Sequence, residues 1–254
     1  MNRLLPFLVA ALVLTLAAAP SAGRDKTPRY NDPSENYKAV PVAGWTVMVN
    51  KRLNEHPELR REALEQVQWE LWVINRLVDK KAGQVLKKVK IWLELDAVNT
   101  AQYHPSRDWL ANNHYNPAKA KGIDIGNASR WTDRIPGRAC LTLLHELCHA
   151  YHDQVLGFDE ERVVAAYNRS RESGTYDRVV RDRHVEVRHY AMANHKEWFA
   201  EISETYLWTN DYYPFNRAEL KKIDPHAYAL MEQIWGQRTP TEAEIRERAK
   251  KTKP

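Results

Sequence analysis

The chain has 254 residues, of which 43% are hydrophobic and 28% are charged, a composition that fits one globular domain with a substantial core. Its formal net charge is +5, and the Lys and Arg residues are interleaved with Asp and Glu rather than gathered into a stripe. This pattern is typical of a solvated surface, and it argues against a nucleic-acid-binding protein and against a polybasic membrane-binding patch.

Residues 1–23 have the layout of a secretory signal peptide. Arg3 precedes an apolar run of 16 residues, which is short for a membrane span, and small residues follow it. Cleavage would lower the net charge from +5 to +4, since Arg3 is the one charged residue in this segment. The sequence therefore predicts a secreted or periplasmic protein with no stable membrane association after cleavage. An uncleaved membrane anchor is the alternative.

Residues 24–43 are polar and contain Pro28, Pro33 and Pro41, a composition that predicts an extended linker. We expect folded structure to begin near Trp45, in a domain that covers residues 44–236. Residues 57–81 place apolar side chains at spacings of three and four, which is typical of an amphipathic helix. Residues 89–95 alternate in polarity instead, and this alternation predicts a half-buried strand.

The stretch from 99 to 122 is polar and aromatic, so we expect a long surface loop there. Its aromatic part, residues 103–115, would either help to set substrate specificity or form a folded cap. Residues 123–125 resume the alternation and predict a short strand. That strand would either lie at a sheet edge, where an extended peptide could pair with it, or be an ordinary sheet strand.

The most informative stretch is residues 141–153, LTLLHELCHAYHD, which contains an HExxH signature. Residues four apart share a helix face, so His145 and His149 can direct ring nitrogens at one ion. Glu146 is rotated from His145 by about 100°, which suits a water on the metal better than the metal itself. The pattern predicts a two-histidine metal site with Glu146 as general base. A chance match is the alternative.

The two cysteines, Cys140 and Cys148, lie eight positions apart on what should be one helix. A rise of about 1.5 Å per residue would separate their Cα atoms by about 12 Å, which is too far for a disulfide. We therefore expect two buried thiols. For Cys148 we favour a packing role over a role at the metal.

After the motif, the sequence predicts helices at 159–167, 195–208 and 226–235. Residues 174–189 alternate as in a hairpin or a partly ordered loop. A charged helix from Thr239 would form a solvated tail over residues 237–254. This order of elements predicts an α+β fold in which a small mixed sheet packs on the motif helix and the C-terminal half is mostly helical.

Two histidines leave a zinc ion short of the three protein ligands that catalytic zinc usually has. Glu197 and Glu201 lie four apart on a predicted helix, beside apolar residues that would bury one of its faces. A solvated acidic face is the alternative interpretation of this pair. His152 is another candidate, because it faces roughly the same way as His149, but it lies two turns from His145.

The HELCH motif, followed 48 positions later by the glutamate of EWFAE, is similar to the gluzincin zinc metallopeptidases. More narrowly, the segment YAMANHKEWFAE resembles the catalytic domain of anthrax toxin lethal factor and its relatives. The resemblance covers roughly residues 138–206. Trp198 and Cys148 depart from the residues usual in that family, at positions outside the proposed chemistry. The targeting portions of the toxin have no counterpart, so neither toxicity nor substrate is carried over.

The resemblance implies a zincin-like fold and a zinc site. The ligands that it implies for Zn²⁺ are His145, His149 and Glu197. It implies further that Glu146 is the base, that Glu201 orients a ligand histidine, and that Tyr190 donates a hydrogen bond to the reacting centre. A purely structural role is the alternative for Tyr190.

These residues predict a secreted zinc metallopeptidase in which Glu146 activates a zinc-bound water against a peptide or protein substrate. One alternative is a secreted zinc-binding protein without hydrolytic activity, against which the retained Glu146 argues. Another is a zinc hydrolase of a non-peptide amide or ester, which would use the same metal chemistry. The sequence leaves the oligomeric state open. Asn127 and Asn168 lie in Asn-x-Ser sequons, which matter only where glycosylation machinery exists.

Overall fold

The computed structural model describes residues 32–132, 141–182 and 185–236. Three predictions fall outside these ranges: the signal peptide at 1–23, the thiol of Cys140, and the tail helix from Thr239. Within the described ranges, none of the helices combines the length and the apolar character needed to cross a bilayer.

The fold is α+β, as the sequence predicts, with a small mixed sheet and a mostly helical C-terminal half. The strands are β1 Tyr37–Val42, β2 Trp45–Asn50, β3 Ile91–Leu93, β4 Asp96–Tyr103, β5 Ile123–Asn127, β6 Val179–Arg181 and β7 Val185–Val187. The helices are α1 Pro57–Leu77, α2 Lys80–Leu86, α3 Arg107–Asn112, α4 Ala128–Thr132, α5 Thr142–Tyr151, α6 Glu161–Ser173, α7 His195–Leu207, α8 Arg217–Ile223 and α9 Pro225–Trp235.

The main sheet has the strand order β1-β2-β3-β5-β4. Strands β2, β3 and β5 are parallel, whereas β1 and β4 run antiparallel to their neighbours. The prediction that residues 24–43 form a linker is wrong for β1, which pairs with β2 along its whole length. A two-residue turn with positive φ at Ala43 and Gly44 closes this hairpin, and Pro41 is tolerated because β1 lies at an edge.

Strand β3 is buried on both faces, so the prediction of a half-buried strand is wrong. Central parallel strands are covered on both faces. The polar residues of the alternating pattern therefore face a buried polar network and not solvent. On that side the buried Lys119 ammonium lies 2.6 Å from Glu94 Oε1 and 2.8 Å from Asp124 Oδ2. Tyr37 donates a hydrogen bond of 2.5 Å to Glu94 and packs edge-on against Trp92.

The stretch predicted as a long loop, residues 99–122, instead contains most of β4 and the short helix α3. Its strand was not recognisable because β4 lacks regular alternation, is interrupted by a register shift, and is defined by its pairing with β5. The strand predicted at residues 123–125 is present as β5, and of its two alternatives the ordinary sheet strand holds, since β5 lies between β3 and β4. Strand β4 is the sheet edge. The aromatic residues that follow it form a folded cap, in which Trp109 and Tyr115 have ring centroids 5.5 Å apart.

The predicted helices exist, with changed limits. Residues 57–81 form α1 and the start of α2, because Asp79 caps a new helix by accepting a hydrogen bond from the Ala82 amide. Helix α6 extends to Ser173, beyond the predicted 159–167. Within residues 174–189, β6 and β7 pair antiparallel, as the hairpin alternative predicts, and α7 and α9 lie where they are predicted.

Helices α1 and α5 cover the apolar face of the sheet. Helix α1 buries Val67, Leu71 and Ile74, while α5 buries Leu144 and Leu147 in the same core. Burial of each such side chain contributes about 1.5–3 kcal/mol to folding. Helix α7 packs on α5 and is itself buried along residues 198–207, with α6, α8 and α9 around it. This arrangement places α5 between the sheet and α7.

Candidate metal centre

Helix α5 carries the HExxH motif, and its N-terminus is held by carboxylates from two distant helices. No side chain of α5 caps its first turn. Instead, Glu204 of α7 accepts a hydrogen bond of 2.8 Å from the Leu141 amide, and Glu70 of α1 accepts one of 2.8 Å from the Leu143 amide. Negative charge at this end also complements the helix dipole. The motif is therefore fixed in place by the surrounding fold.

Three donor atoms converge where α5 meets α7. His145 Nε2 lies 3.1 Å from His149 Nε2, and both nitrogens lie 3.3 Å from Glu197 Oε2. Glu197 is in the first turn of α7, which Asn194 caps by accepting hydrogen bonds from the Lys196 and Glu197 amides. All three side chains are half-buried, and together they could hold a metal ion.

The spacing of these atoms is also compatible with a bound metal ion. In a tetrahedral site with ligands at about 2.0–2.1 Å, adjacent donor atoms are about 3.3–3.4 Å apart. The distances of 3.1–3.3 Å between the three donors are close to that edge length. Two imidazole nitrogens that face each other can share only one proton, so a cation between them satisfies both lone pairs.

The charges in this group are strongly coupled. Burial lowers the pKa of His145, but the neighbouring carboxylates of Glu197 and Glu204 outweigh burial and hold that pKa well above its ordinary value. For Glu197, burial raises the pKa, and the hydrogen bonds to His145 and His149 reverse the effect and hold it far below its ordinary value. The contacts with the two imidazoles thus keep the carboxylate of Glu197 ionised.

Glu146 lies beside the three donors and is held by the edge strand. It is buried, and its Oε2 accepts a hydrogen bond of 2.7 Å from the Tyr103 amide at the end of β4. Burial raises the pKa of Glu146, although the positive charges of His145 and His149 act in the opposite direction. The Tyr103 hydroxyl donates to Asp153 Oδ2 at 2.6 Å, just beyond α5. Tyr103 therefore ties the sheet edge to the motif helix at two points.

Two buried carboxylates lie behind His145. Its Nδ1 is 3.5 Å from Glu201 Oε1 and 3.6 Å from Glu204 Oε2. The alternative of a solvated acidic face is wrong, because both glutamates are almost fully buried. Burial raises the pKa of Glu201 to about 8. Asn210 donates 2.8 Å to Glu201 Oε2.

Glu204 and Asn210 were missed at the level of sequence. Glu204 follows Glu197 and Glu201 at helical spacing, a signal that could have identified it. Asn210 lies in an irregular segment and carries no such signal. Together with His145, Glu201 and Glu204 form a second group that could hold a metal. In each of the two carboxylates one oxygen is engaged, in Glu201 by Asn210 and in Glu204 by the Leu141 amide, and the other lies near His145 Nδ1.

His152 and Cys148 do not take part in the three-donor group. The His152 ring is buried, with its centroid 4.6 Å from that of Phe199 and 5.2 Å from that of Phe158. Burial lowers the pKa of His152 to about 3. Cys148 is a buried free thiol whose pKa is raised by burial, as expected for a packing role.

Tyr190 lies on the 3-10 turn Tyr190–Met192 and borders the same site. Its side chain is half exposed. The pKa of its hydroxyl is raised, mainly by partial burial and also by the negative charge of Glu197. Among the described residues, no hydrogen-bond partner is present for its hydroxyl. The hydroxyl is therefore available to a bound molecule.

A cavity of about 440 Å³ opens over these groups. Its walls come from the edge strand β4, from α5 and α7, and from the turns that carry Phe158 and Tyr190. The lining residues are Thr100, Ala101, Gln102, Tyr103, Pro105, His145, Glu146, His149, Phe158, Tyr190, Lys196 and Glu197. A cavity of this size accommodates a few residues of a peptide or a small molecule.

Comparison of the chain with protein-family models, with curated proteins and with solved structures finds no match. The resemblance to gluzincins therefore stays a prediction from sequence, and the function has to be argued from the geometry of the site.

Proposed function

We propose that the protein is a secreted zinc metallopeptidase with a zincin-like fold, in which His145, His149 and Glu197 bind zinc and Glu146 is the general base. The observation that carries this proposal is the convergence of three donor atoms within 3.3 Å of one another, in an open cavity that a buried glutamate also lines. Two imidazoles and one carboxylate, with one open position, form a donor set that suits catalytic zinc.

Bound zinc would lower the pKa of a water molecule towards neutrality and polarise the scissile carbonyl. Glu146 would take the proton from that water through Oε1, because Oε2 is engaged by the Tyr103 amide. The same carboxyl group can then return the proton to the leaving amine. The Tyr190 hydroxyl would donate a hydrogen bond to the developing oxyanion.

The edge strand supports a peptide as the substrate. Residues 100–103 of β4 line the cavity, and within the described ranges no other strand pairs with the outer edge of β4. An extended peptide could add to that edge through backbone hydrogen bonds and lie across the donor atoms. A small non-peptide amide or ester would not need such an edge. The open cavity and the retained Glu146 likewise argue against a purely structural metal.

Metal content tests the ligand assignment. After dialysis we expect about one zinc per chain in the parent protein and a marked loss in Glu197→Ala. Glu161→Ala is the matched control, because Glu161 is exposed on α6 and does not line the cavity. A parent protein that takes up no zinc when it is offered would overturn the proposal, and zinc retained in Glu197→Ala would show that the third ligand lies elsewhere.

A peptide library tests the reaction. The parent should cleave at least one peptide, whereas Glu146→Gln should keep its zinc and lose turnover. Tyr190→Phe should lower kcat more than it raises KM, since its hydrogen bond would form only in the transition state. Cleavage by Glu146→Gln at the parent rate would contradict the role of the base, and parent-like kinetics of Tyr190→Phe would leave Tyr190 a structural role.

A further inference from the structure

We propose that Lys196 forms a subsite for a carboxylate group of the substrate, so that the protein selects peptides with an acidic side chain, or a free C-terminus, close to the metal centre. The inference deepens the proposed peptidase function and rests on it. It concerns binding preference, so it can be measured separately from hydrolysis.

Lys196 immediately precedes Glu197, the proposed ligand on α7, and lines the same cavity. Its Nζ lies 4.2 Å from the centroid of the Phe158 ring, and both residues line the cavity. A cation on an aromatic face is held by the ring quadrupole, which restricts an otherwise flexible side chain. The ammonium group is thus positioned at the cavity wall rather than in free solvent.

The charge of Lys196 is not neutralised by the protein. Within the described residues no carboxylate lies within 4.0 Å of its Nζ, whereas Lys121 is paired with Asp153 at 2.5 Å. The two carboxylates of the cavity are already engaged, Glu197 by the histidines and Glu146 by the Tyr103 amide. A half-buried, unpaired ammonium group in a binding cavity is best satisfied by an anionic group of the ligand.

The position of Lys196 also sets the local charge at its end of the cavity. Among the described residues that line the cavity, Lys196 is the only Lys or Arg. A carboxylate that approaches its ammonium group is attracted, whereas a basic side chain is repelled. Both carboxylate sources, an Asp or Glu side chain and a peptide C-terminus, present the same group, and the experiment separates them.

Binding is measured with the full chain carrying Glu146→Gln and loaded with zinc, so that peptides stay intact. One set of labelled peptides has amidated C-termini and carries Asp, Asn or Lys in turn at each position. A second set has neutral side chains and ends in a free carboxylate or an amide. We expect the carboxylate peptides to bind about tenfold more tightly than their neutral counterparts. The set that shows the difference identifies the source of the carboxylate.

Lys196 variants in the same background test the assignment. Lys196→Met should abolish the preference for carboxylates, and Lys196→Glu should favour the Lys peptides. Lys222→Met, in an exposed lysine on α8, is the matched control and should keep the preference. Equal affinities for acidic and neutral peptides, no binding of any peptide, or a preference that survives in Lys196→Met would each overturn the inference.

The two proposals fail in different ways. If carboxylate peptides bind preferentially but the protein with Glu146 intact cleaves none of them, the peptidase proposal fails and the subsite stands. If peptides are cleaved with no preference for a carboxylate, the subsite fails and the peptidase proposal stands.

Discussion

Glu204 has two separable roles, one for each of its oxygens. Oε1 accepts the hydrogen bond from the Leu141 amide at the start of α5, and Oε2 lies 3.6 Å from His145 Nδ1. Substitution by Gln keeps an acceptor for the amide but removes the negative charge behind the imidazole. Substitution by Ala removes both. The two variants should therefore affect zinc binding and folding to different degrees.

The magnitudes follow from these contacts. Loss of a group that orients a metal-bound histidine usually costs 10- to 100-fold in metal affinity. Glu201 lies at a similar distance, 3.5 Å, and can still accept the Nδ1 proton, so for Glu204→Gln we expect the lower end, about tenfold. Glu204→Ala also leaves the buried Leu141 amide unsatisfied, which costs about 1–3 kcal/mol, or about 2–12 °C in Tm.

Zinc affinity is measured by competition with a chromophoric chelator, and stability by thermal unfolding of the metal-free protein. Glu70→Gln is the matched control, because Glu70 also accepts a hydrogen bond from an α5 amide but makes no ion pair with His145. It should bind zinc as the parent does. The reasoning is refuted if Glu204→Gln binds zinc with parental affinity, or if Glu70→Gln weakens zinc equally.

Three further predictions concern stability. Tyr103→Phe removes the hydrogen bond to Asp153 but keeps the contact between the Tyr103 amide and Glu146. The free energy of unfolding in urea should fall by about 1–2 kcal/mol, with little change in turnover. A large loss of turnover would instead show that the hydroxyl takes part in the reaction. Lys119→Met leaves Glu94 and Asp124 buried without their cation, so the free energy of unfolding in urea should fall by about 3–5 kcal/mol. A decrease of less than about 1 kcal/mol would contradict this description of the network. Burial lowers the pKa of His189 to about 3, so the unfolded chain binds the proton more tightly; stability is fully present above about pH 6.5 and falls as the pH drops towards 3. At pH 5 this loss is about 2 kcal/mol relative to pH 7, and His189→Gln should lack it; an equal pH dependence in parent and variant would be the contrary result.

The parts of the site that could be read from sequence are those that depend on local helical geometry. His145 and His149 share a face because they are four residues apart on one helix, and α5 forms where the motif predicts it. The same periodicity selected Glu197 and Glu201 on α7 and would have extended to Glu204. Periodicity alone does not predict that α5 and α7 meet. The expectation that Glu197 joins the two histidines came from the resemblance of the motifs to a known family.

The sheet was much harder to predict, because a strand is stabilised by partners that are distant in sequence. Strand β4 has no regular alternation of its own, and its pairing with β5 makes it the edge beside the cavity. Half-buried and fully buried strands also look alike when a polar network covers one face, as it does over β3. The linker prediction failed at β1 for the same reason, since the pairing of β1 with β2 cannot be seen in the composition of either segment.

The sequence by itself determined the longer helices, the α+β class and the residue types of the candidate metal centre, since those depend on hydrophobic periodicity and on spacing within one helix. Only the tertiary structure decided which groups support that centre. The Tyr103 amide reaches Glu146 across 43 residues, and Glu204 reaches the Leu141 amide across 63. Lys196 faces the cavity because Phe158 packs beneath it. Contacts of this kind arise when separate elements pack together, and no local pattern in the chain encodes them.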